Sequence, residues 1–246
     1  GFIVLENIKN AVIKANIEVL NYLKNSLKKD DFIYTNQIGF GGDNSLKIDI
    51  IFENIFIEHL KEFGNIFSEE CGLKDFKKDI TFIIDPLDGS NNFFSNLPYY
   101  GTSVAIKKDE EIIGGFVANL ALETLVYRFL DDEVIYLSLN SNKELKNRIN
   151  NSSKVAVFER GYKYPDICKI LNDKNIKFRV LGATAISLAN ARDYDFVLFM
   201  GELRAFDIDA AMYICKDLYK IVKNNLIFIT KSKDCFNDFK EIIKHF

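Results

Sequence analysis

The chain has 246 residues, 48% of them hydrophobic, and 32 basic against 35 acidic side chains for a net charge of −3. That supplies apolar material for a sizeable core, in one large domain or two lobes, while the balanced charge excludes a broad nucleic-acid or membrane-surface footprint. Two histidines (His59, His245), four scattered cysteines (Cys71, Cys168, Cys215, Cys235), no run near a membrane span and no secretory pattern exclude a His-dependent triad and a disulfide framework, and read as cytoplasmic.

In chain order, apolar positions at helical spacing (Leu5, Ile8, Val12, Leu20, Leu23, Leu27) predict an amphipathic helix from residue 2 to about residue 29. Residues Thr35 to Asn44 read as a mobile glycine-rich loop. It is no Walker loop, lacking Gly-Lys-Ser/Thr, and no dinucleotide fingerprint, lacking a preceding strand. A second helix is expected from Leu46 to Phe63, with Asp49 and Glu53 one turn apart on one face. Ile66-Phe67 is a short strand that delivers Ser68-Glu69-Glu70, and Ile80 to Ile83 is a buried strand that runs into Ile84-Asp85-Pro86-Leu87-Asp88-Gly89-Ser90. The extended runs Thr102–Ile106, Ile112–Ala118, Thr124–Phe129 and Val134–Leu139 predict an antiparallel meander. From about residue 152 the rhythm changes to strands (Lys154–Phe158, Phe178–Leu181, Asp195–Phe199, Leu226–Ile229) separated by helix-length segments. A lobe boundary near residues 138–152 follows, with an N-terminal α+β lobe over 1–145 and a smaller C-terminal α/β lobe over 146–246.

The chemistry concentrates at Asp85-Pro86-Leu87-Asp88-Gly89-Ser90. Pro86 fixes its own φ and Gly89 permits a sharp turn, so Asp85 and Asp88 can point at one spot. Two carboxylates so placed are costly unless a cation lies between them, and the Gly89-Ser90-Asn91-Asn92 amides would face an anion. The bland alternative is a surface turn. Three further acidic pairs stand out, Asp49 with Glu53, Glu69 with Glu70, and Asp207 with Asp209, the last opening a helix. Glu53, Asp75, Asp79 and the Asp131-Asp132-Glu133 run read as surface. Together the remaining acids make an oxygen-only ligand set for two or three Mg²⁺ ions, with Mn²⁺ as the alternative metal.

These residues carry a resemblance. The run Asp85-Pro86-Leu87-Asp88-Gly89-Ser90-Asn91-Asn92-Phe93 with Pro98 is similar to the central signature of the inositol monophosphatase/fructose-1,6-bisphosphatase superfamily of Mg²⁺-dependent, lithium-sensitive phosphatases. Glu69-Glu70 resembles its upstream acidic pair, Asp49…Glu53 its helix pair, Phe206-Asp207-Ile208-Asp209-Ala210 its downstream motif, and Gly182-Ala183-Thr184-Ala185 its pocket segment. The resemblance implies a layered αβαβα sandwich, with an antiparallel lobe followed by a smaller α/β lobe. It also implies a small phosphate-ester substrate, neither nucleic acid nor membrane as a partner, and a homodimer or homotetramer.

Carried over residue by residue, the resemblance places Glu69, Asp85 and the Leu87 carbonyl on one metal and Asp85, Asp88 and Asp207 on a second. Asp49, Ser90 and Glu70 take the catalytic roles, with Ser90 within reach of Asp49 to orient the attacking water. Gly89, Ser90, Gly182, Ala183, Thr184 and Arg204 contact substrate. Asp43, on the loop that closes over the site, serves a third metal. Met200 stands where animal inositol monophosphatases carry an acid that holds inositol hydroxyls, with Glu202 nearby, and Leu218 to Asn225 replaces a Gly-Gly strand-turn. These departures favour fructose-1,6-bisphosphate over inositol monophosphate, with Arg179 or Arg204 for a second phosphate. The competing class is a metal- and phosphate-binding regulatory protein that keeps the fold without turnover.

Overall fold

Alternation along the strand Ile80–Asp88 sets the layering. Phe82 and Ile84 pack in a first core with the N-terminal helices, while Ile83 points into a second core on the opposite face, as a period of two requires. The computed structural model describes residues 1–146 and 153–246. In chain order its elements begin with helix α1 (Phe2–Asn25), the hairpin β1 (Tyr34–Ile38) and β2 (Asn44–Leu46), helix α2 (Lys47–Leu60), and strands β3 (Asn65–Ser68), β4 (Gly72–Lys74) and β5 (Ile80–Asp88). A short helix α3 (Ser90–Phe94) precedes β6 (Gly101–Lys108), β7 (Glu111–Asn119), β8 (Thr124–Phe129), β9 (Ile135–Ser138) and β10 (Lys143–Glu144). Then come β11 (Ala156–Glu159), α4 (Pro165–Asp173), β12 (Phe178–Arg179), α5 (Thr184–Ala189), β13 (Val197–Met200), α6 (Ala205–Ile214), β14 (Tyr219–Lys223), β15 (Leu226–Thr230) and α7 (Lys233–Ile243).

The first sheet has the order β10-β9-β8-β7-β6-β5-β3-β4 and is antiparallel except where β3 runs parallel to β5. The second has the order β12-β11-β13-β15-β14, with β11 parallel to β12 and β13, and β15 antiparallel to β13 and β14. Helices α1 and α2 cover one face of the first sheet through stripes such as Ile8, Val12, Val19 and Phe52, Phe56, Leu60. Helices α5 and α6 lie between the sheets and share a core with Val117, Val197 and Ile229, and α4 and α7 cover the far face with Ile167, Leu171, Phe239 and Ile243. The result is the expected αβαβα sandwich.

Helix α6 needs a close approach, which Gly115 of β7 permits: a Cβ there would lie 2.2 Å from the Ala210 carbonyl oxygen. This contact brings the start of α6 down against the end of β5. The two sheets meet the chain on either side of residues 145–155, and part of the expected 138–152 boundary lies outside the described residues.

The structure differs from expectation in three stretches. The Thr35–Asn44 segment is mostly the β1–β2 hairpin, and only its 39–43 turn is loop. Residues 219–223 form β14, an edge strand whose exposed Tyr219, Val222 and Lys223 break the apolar run expected of a strand. Helix α1 ends at Asn25 rather than near residue 29. Among the described residues no helix is long and apolar enough to cross a membrane, and all four cysteines are free thiols.

Candidate active site

Residues three apart on a regular strand face opposite sides, so Asp85 and Asp88 reach one cavity only because the strand is irregular between them. The β5–β6 register shifts between Asp85 and Asp88, at Pro86, which has no N–H to donate to a ladder. The Leu87 amide instead donates to Asp85 Oδ1 at 3.0 Å, and Gly89 at φ 77° turns the chain into α3. The parallel pairing of β3 with β5 then sets Glu69 beside Asp85, with the Glu69 amide donating to the Ile84 carbonyl at 3.1 Å. Asp207 arrives from the first turn of α6, and Asp49 from the first turn of α2, where its Oδ2 accepts from the Leu46 amide at 2.8 Å.

These elements enclose a cavity of about 480 Å³. Of the expected residues, Asp43, Asp49, Glu69, Glu70, Asp85, Leu87, Asp88, Gly89, Ser90, Gly182, Thr184, Arg204 and Asp207 all line it. Ala183 does not: it is 1% exposed and packed in the core between the sheets, because α5 turns inward at that point. Asp209 is half-buried with Lys107 as its charged neighbour, so the Asp207–Asp209 pair splits between two surroundings. Arg179 is exposed on β12 and donates to the Phe178 carbonyl, and Met200 lines a separate groove with Leu226 and Phe246. Glu53, read as surface from its charge, is 4% exposed. It lies on the apolar stripe of α2, and its Oε2 accepts from the Cys71 amide at 3.0 Å, bracing the turn that carries Glu69 and Glu70.

The electrostatics are those of crowded acids. Burial, then the charges of Glu69, Asp88 and Asp207, push the Asp85 carboxyl well above its ordinary range. Burial and Asp207 do the same to Asp88, against the hydrogen bond its Oδ2 accepts from the Ile186 amide at 3.0 Å. Asp49 is pushed up to about 8, mainly by burial and by Glu70, and Glu70 to about 7 by burial, despite accepting from the Ser45 hydroxyl. Glu69 is raised by burial and hydrogen-bonds to Asp85. Two carboxyl groups in contact must share either a proton or a cation.

Arg204 supplies positive charge in this cluster. Its guanidinium donates to Asp207 through Nε at 2.8 Å, pairs with Glu69 at 3.0 Å, donates to the Gly41 carbonyl at 3.0 Å and lies 3.6 Å from Asp43. It therefore holds the 39–43 turn closed. That turn is also bonded to the strand end through the Phe40 amide to Glu70 O (3.0 Å) and the Gly41 amide to Glu69 O (2.7 Å). Among the described residues no three His, Cys, Asp or Glu side chains are drawn together as a finished metal cage, and Arg204 stands between Glu69 and Asp207 where such a cage would form.

The residues fit a hard divalent cation. Every donor is an oxygen, and Asp49 Oδ1 is a buried acceptor without a hydrogen-bond partner on the wall of the cavity. Asp49 makes no hydrogen bond to Ser90 here; its partner is the Leu46 amide. Sequence reasoning missed Glu159, Arg160, Tyr162 and Lys163, which also line the cavity. Their signal was position: they follow the carboxyl end of a strand, β11, that parallels its neighbours, and such ends open onto sites in α/β sheets. Arg160 also adopts a left-handed backbone at φ 63°, a conformation that side chains with a Cβ seldom hold without a functional or structural reason.

Comparison with known proteins agrees with this geometry. The sequence model of the inositol monophosphatase family matches residues 5–218. A fructose-1,6-bisphosphatase of Pyrococcus furiosus is 30% identical over 203 residues, covering 77% of this chain and 73% of that protein. A fructose-1,6-bisphosphatase/inositol-1-monophosphatase of Methanothermobacter thermautotrophicus is 27% identical over 215 residues, covering 76% and 74%. Among solved structures, an inositol monophosphatase of Thermotoga maritima superposes with a TM-score of 0.73 over 95% of this chain and 97% of its own at 20% identity, a likeness of fold.

Proposed function

The chain belongs to the inositol monophosphatase family and is a phosphoric monoester hydrolase, and on that premise we propose that it removes phosphate from a sugar or polyol phosphate with Mg²⁺. The observation that carries the reading is the convergence of Asp49, Glu69, Asp85, Asp88 and Asp207 on one cavity wall, with an unpartnered acceptor at Asp49 Oδ1. Glu69, Asp85, the Leu87 carbonyl, Asp88 and Asp207 would hold two ions, and Asp43 and Glu70 would serve a third. Bound Mg²⁺ supplies Lewis-acid activation of water and neutralises charge on the phosphoryl and leaving oxygens.

The chain's own residues do the rest. Ser90, at the first turn of α3, and Asp49, which lines the same cavity, orient the attacking water, and Asp49 accepts its proton as the ionised carboxylate. Gly89, Ser90 and Asn91 present the opening of α3 to the phosphate oxygens. Thr184, which also lines the cavity, contacts the body of the substrate. Burial of the carboxylates keeps the site dry, so each charge acts at a lower effective dielectric than in water.

For the substrate, the basic residues of the cavity favour a second anionic group. Arg160 and Lys163 line the cavity, whereas Arg204 is saturated by carboxylates and Arg179 lies elsewhere. Fructose-1,6-bisphosphate therefore stands ahead of inositol monophosphate. The test is phosphate release with Mg²⁺ from fructose-1,6-bisphosphate, inositol-1-phosphate and β-glycerophosphate, in the wild type and Lys163→Ala. Lys163→Ala is expected to raise KM for the bisphosphate about tenfold and leave the monophosphates within about twofold, the loss of one charge-assisted contact. Equal effects on all three would remove the bisphosphate reading, and no release from any would favour the regulatory alternative. We likewise propose a division into lobes over 1–145 and 146–246, assembly as a homodimer or homotetramer, and a cytoplasmic location.

A further inference from the structure

Glu159 ends β11 at 1% exposure, with its carboxylate at the back of the cavity. Two donors converge on it: the Ser187 hydroxyl at 2.6 Å on Oε1 and the Gly182 amide at 3.1 Å on Oε2. Burial pushes the Glu159 carboxyl above its ordinary range, and the hydrogen bonds from Ser187 and Gly182 hold it back. The nearby Arg160 guanidinium lies over the Phe199 ring at 5.5 Å and makes no ion pair with it. A carboxyl this deeply buried is tolerated because both its oxygens have hydrogen-bond partners, and those bonds fix the groups that make them.

The segment it grips is the one that faces the substrate. The Gly182 N–H points at Glu159, so it is taken up there, and what this wall offers a ligand is the Gly182 backbone at φ 87° and the Thr184 side chain. The other side of the segment is fixed by Asn92, whose Nδ2 donates to the Leu181 and Tyr99 carbonyls at 2.8 Å each. Downstream, Ser187 passes the contact to the Tyr99 hydroxyl at 2.7 Å, and Ile186 of the same helix donates to Asp88. One carboxylate thus ties the substrate wall to the helix on which Asp88 rests.

We propose that Glu159 is a positioning residue for substrate binding: by accepting the Gly182 and Ser187 donors, which flank the 183–186 segment, it sets where Thr184 meets the substrate. The proposal rests on the phosphatase reading above and deepens it. Its signature is a change in KM at nearly constant kcat, because the residue touches neither the phosphoryl group nor the attacking water. A role confined to stability would lower the folded, active fraction, hence kcat, and leave KM alone.

The test compares wild type, Glu159→Gln and Glu159→Ala for Mg²⁺-dependent phosphate release from fructose-1,6-bisphosphate, with thermal melting alongside. Glu159→Ala is expected to raise KM about tenfold with kcat within about threefold, since a displaced Thr184 forfeits a hydrogen bond to the substrate worth about 0.5–1.5 kcal/mol and 1.4 kcal/mol is tenfold. Glu159→Gln keeps the shape and one acceptor oxygen, so most of the loss is recovered and KM rises about three- to fivefold. If the alanine variant does not fold, the glutamine variant decides alone. A KM within about 1.5-fold of wild type in every folded variant, or a fall in kcat without a change in KM, overturns the proposal. If wild type releases no phosphate, the phosphatase reading fails separately, and binding of the uncleaved fructose-1,6-bisphosphate by calorimetry in Mg²⁺ replaces KM: the same fold-changes support the positioning role and unchanged affinity removes it.

Discussion

Asp49→Asn should make the metal-free protein more stable and nearly inactive. Asp49 is 5% exposed, its Oδ1 has no partner, and burial with the neighbouring Glu70 pushes its pKa up to about 8. An ordinary aspartate titrates near 3.9. A carboxyl whose native pKa lies above its unfolded value keeps its proton longer when folded, so the unfolded state gains as pH rises from about 4 to about 8. At pH 7 that linkage costs the native state about 4 kcal/mol as an upper bound. Asparagine avoids the titration and can still accept the Leu46 amide through its own oxygen, and its amide faces the Glu70 side of the site. Placing an amide donor there returns part of the gain, about 1–3 kcal/mol if it is left unpaired, so a net stabilisation of about 2 kcal/mol is expected. For a chain of this length that is about 4–8 °C in Tm, read by calorimetry in EDTA at pH 7. Phosphate release should fall about 10²–10⁴-fold, the usual contribution of a general base. A metal-free Tm that falls or stays put, or activity that survives, would refute the assignment of Asp49 as a strained catalytic base.

Other outcomes follow from the same crowding. In EDTA the wild-type Tm should decline as pH rises through the window from about 4 to about 8 spanned by Glu70 and Asp49, each proton contributing up to about 1.4 kcal/mol per pH unit, and excess Mg²⁺ should abolish the decline. A Tm that rises with pH in EDTA would contradict it. Arg204→Gln removes a like charge from the cation site and unlatches the 39–43 turn. Mn²⁺ affinity measured by calorimetry should tighten about tenfold, since like charges about 4 Å apart repel by about 1–4 kcal/mol between water and protein surface, while limited proteolysis in the turn accelerates. Weaker Mn²⁺ binding would show instead that Arg204 organises the ligands.

Much of this was legible because it is periodic or motif-borne. The stripes of α1 and α2 and the meander β6–β9 follow from spacing, and Asp85 to Ser90 states its own turn through Pro86 and Gly89. Glu53 was misread because charge was weighed before position: it occupies the same helical stripe as Phe52 and Phe56, which pack against the sheet. Glu159 and Lys163 left no motif, since their role depends on β11 lying beside β13 and on the 182–184 segment returning from far along the chain. Arg204 was noticed but given to substrate phosphate. Only the fold shows that Glu69 and Asp207 reach it first. The convergence of β3, β5, α2 and α6 is a property of sheet order, which local sequence does not encode.

The most direct measurement is Mg²⁺-dependent phosphate release from fructose-1,6-bisphosphate by wild type and Asp88→Asn. The substitution removes one buried charge yet keeps an oxygen for the Ile186 amide, so the fold is retained and melting confirms it. Release by wild type that disappears in EDTA and falls by about three orders of magnitude in folded Asp88→Asn is the predicted result, of the size expected when a charge-stabilising group is lost. Release that persists in EDTA, or in folded Asp88→Asn, would contradict a metal-assisted phosphatase built on this cavity.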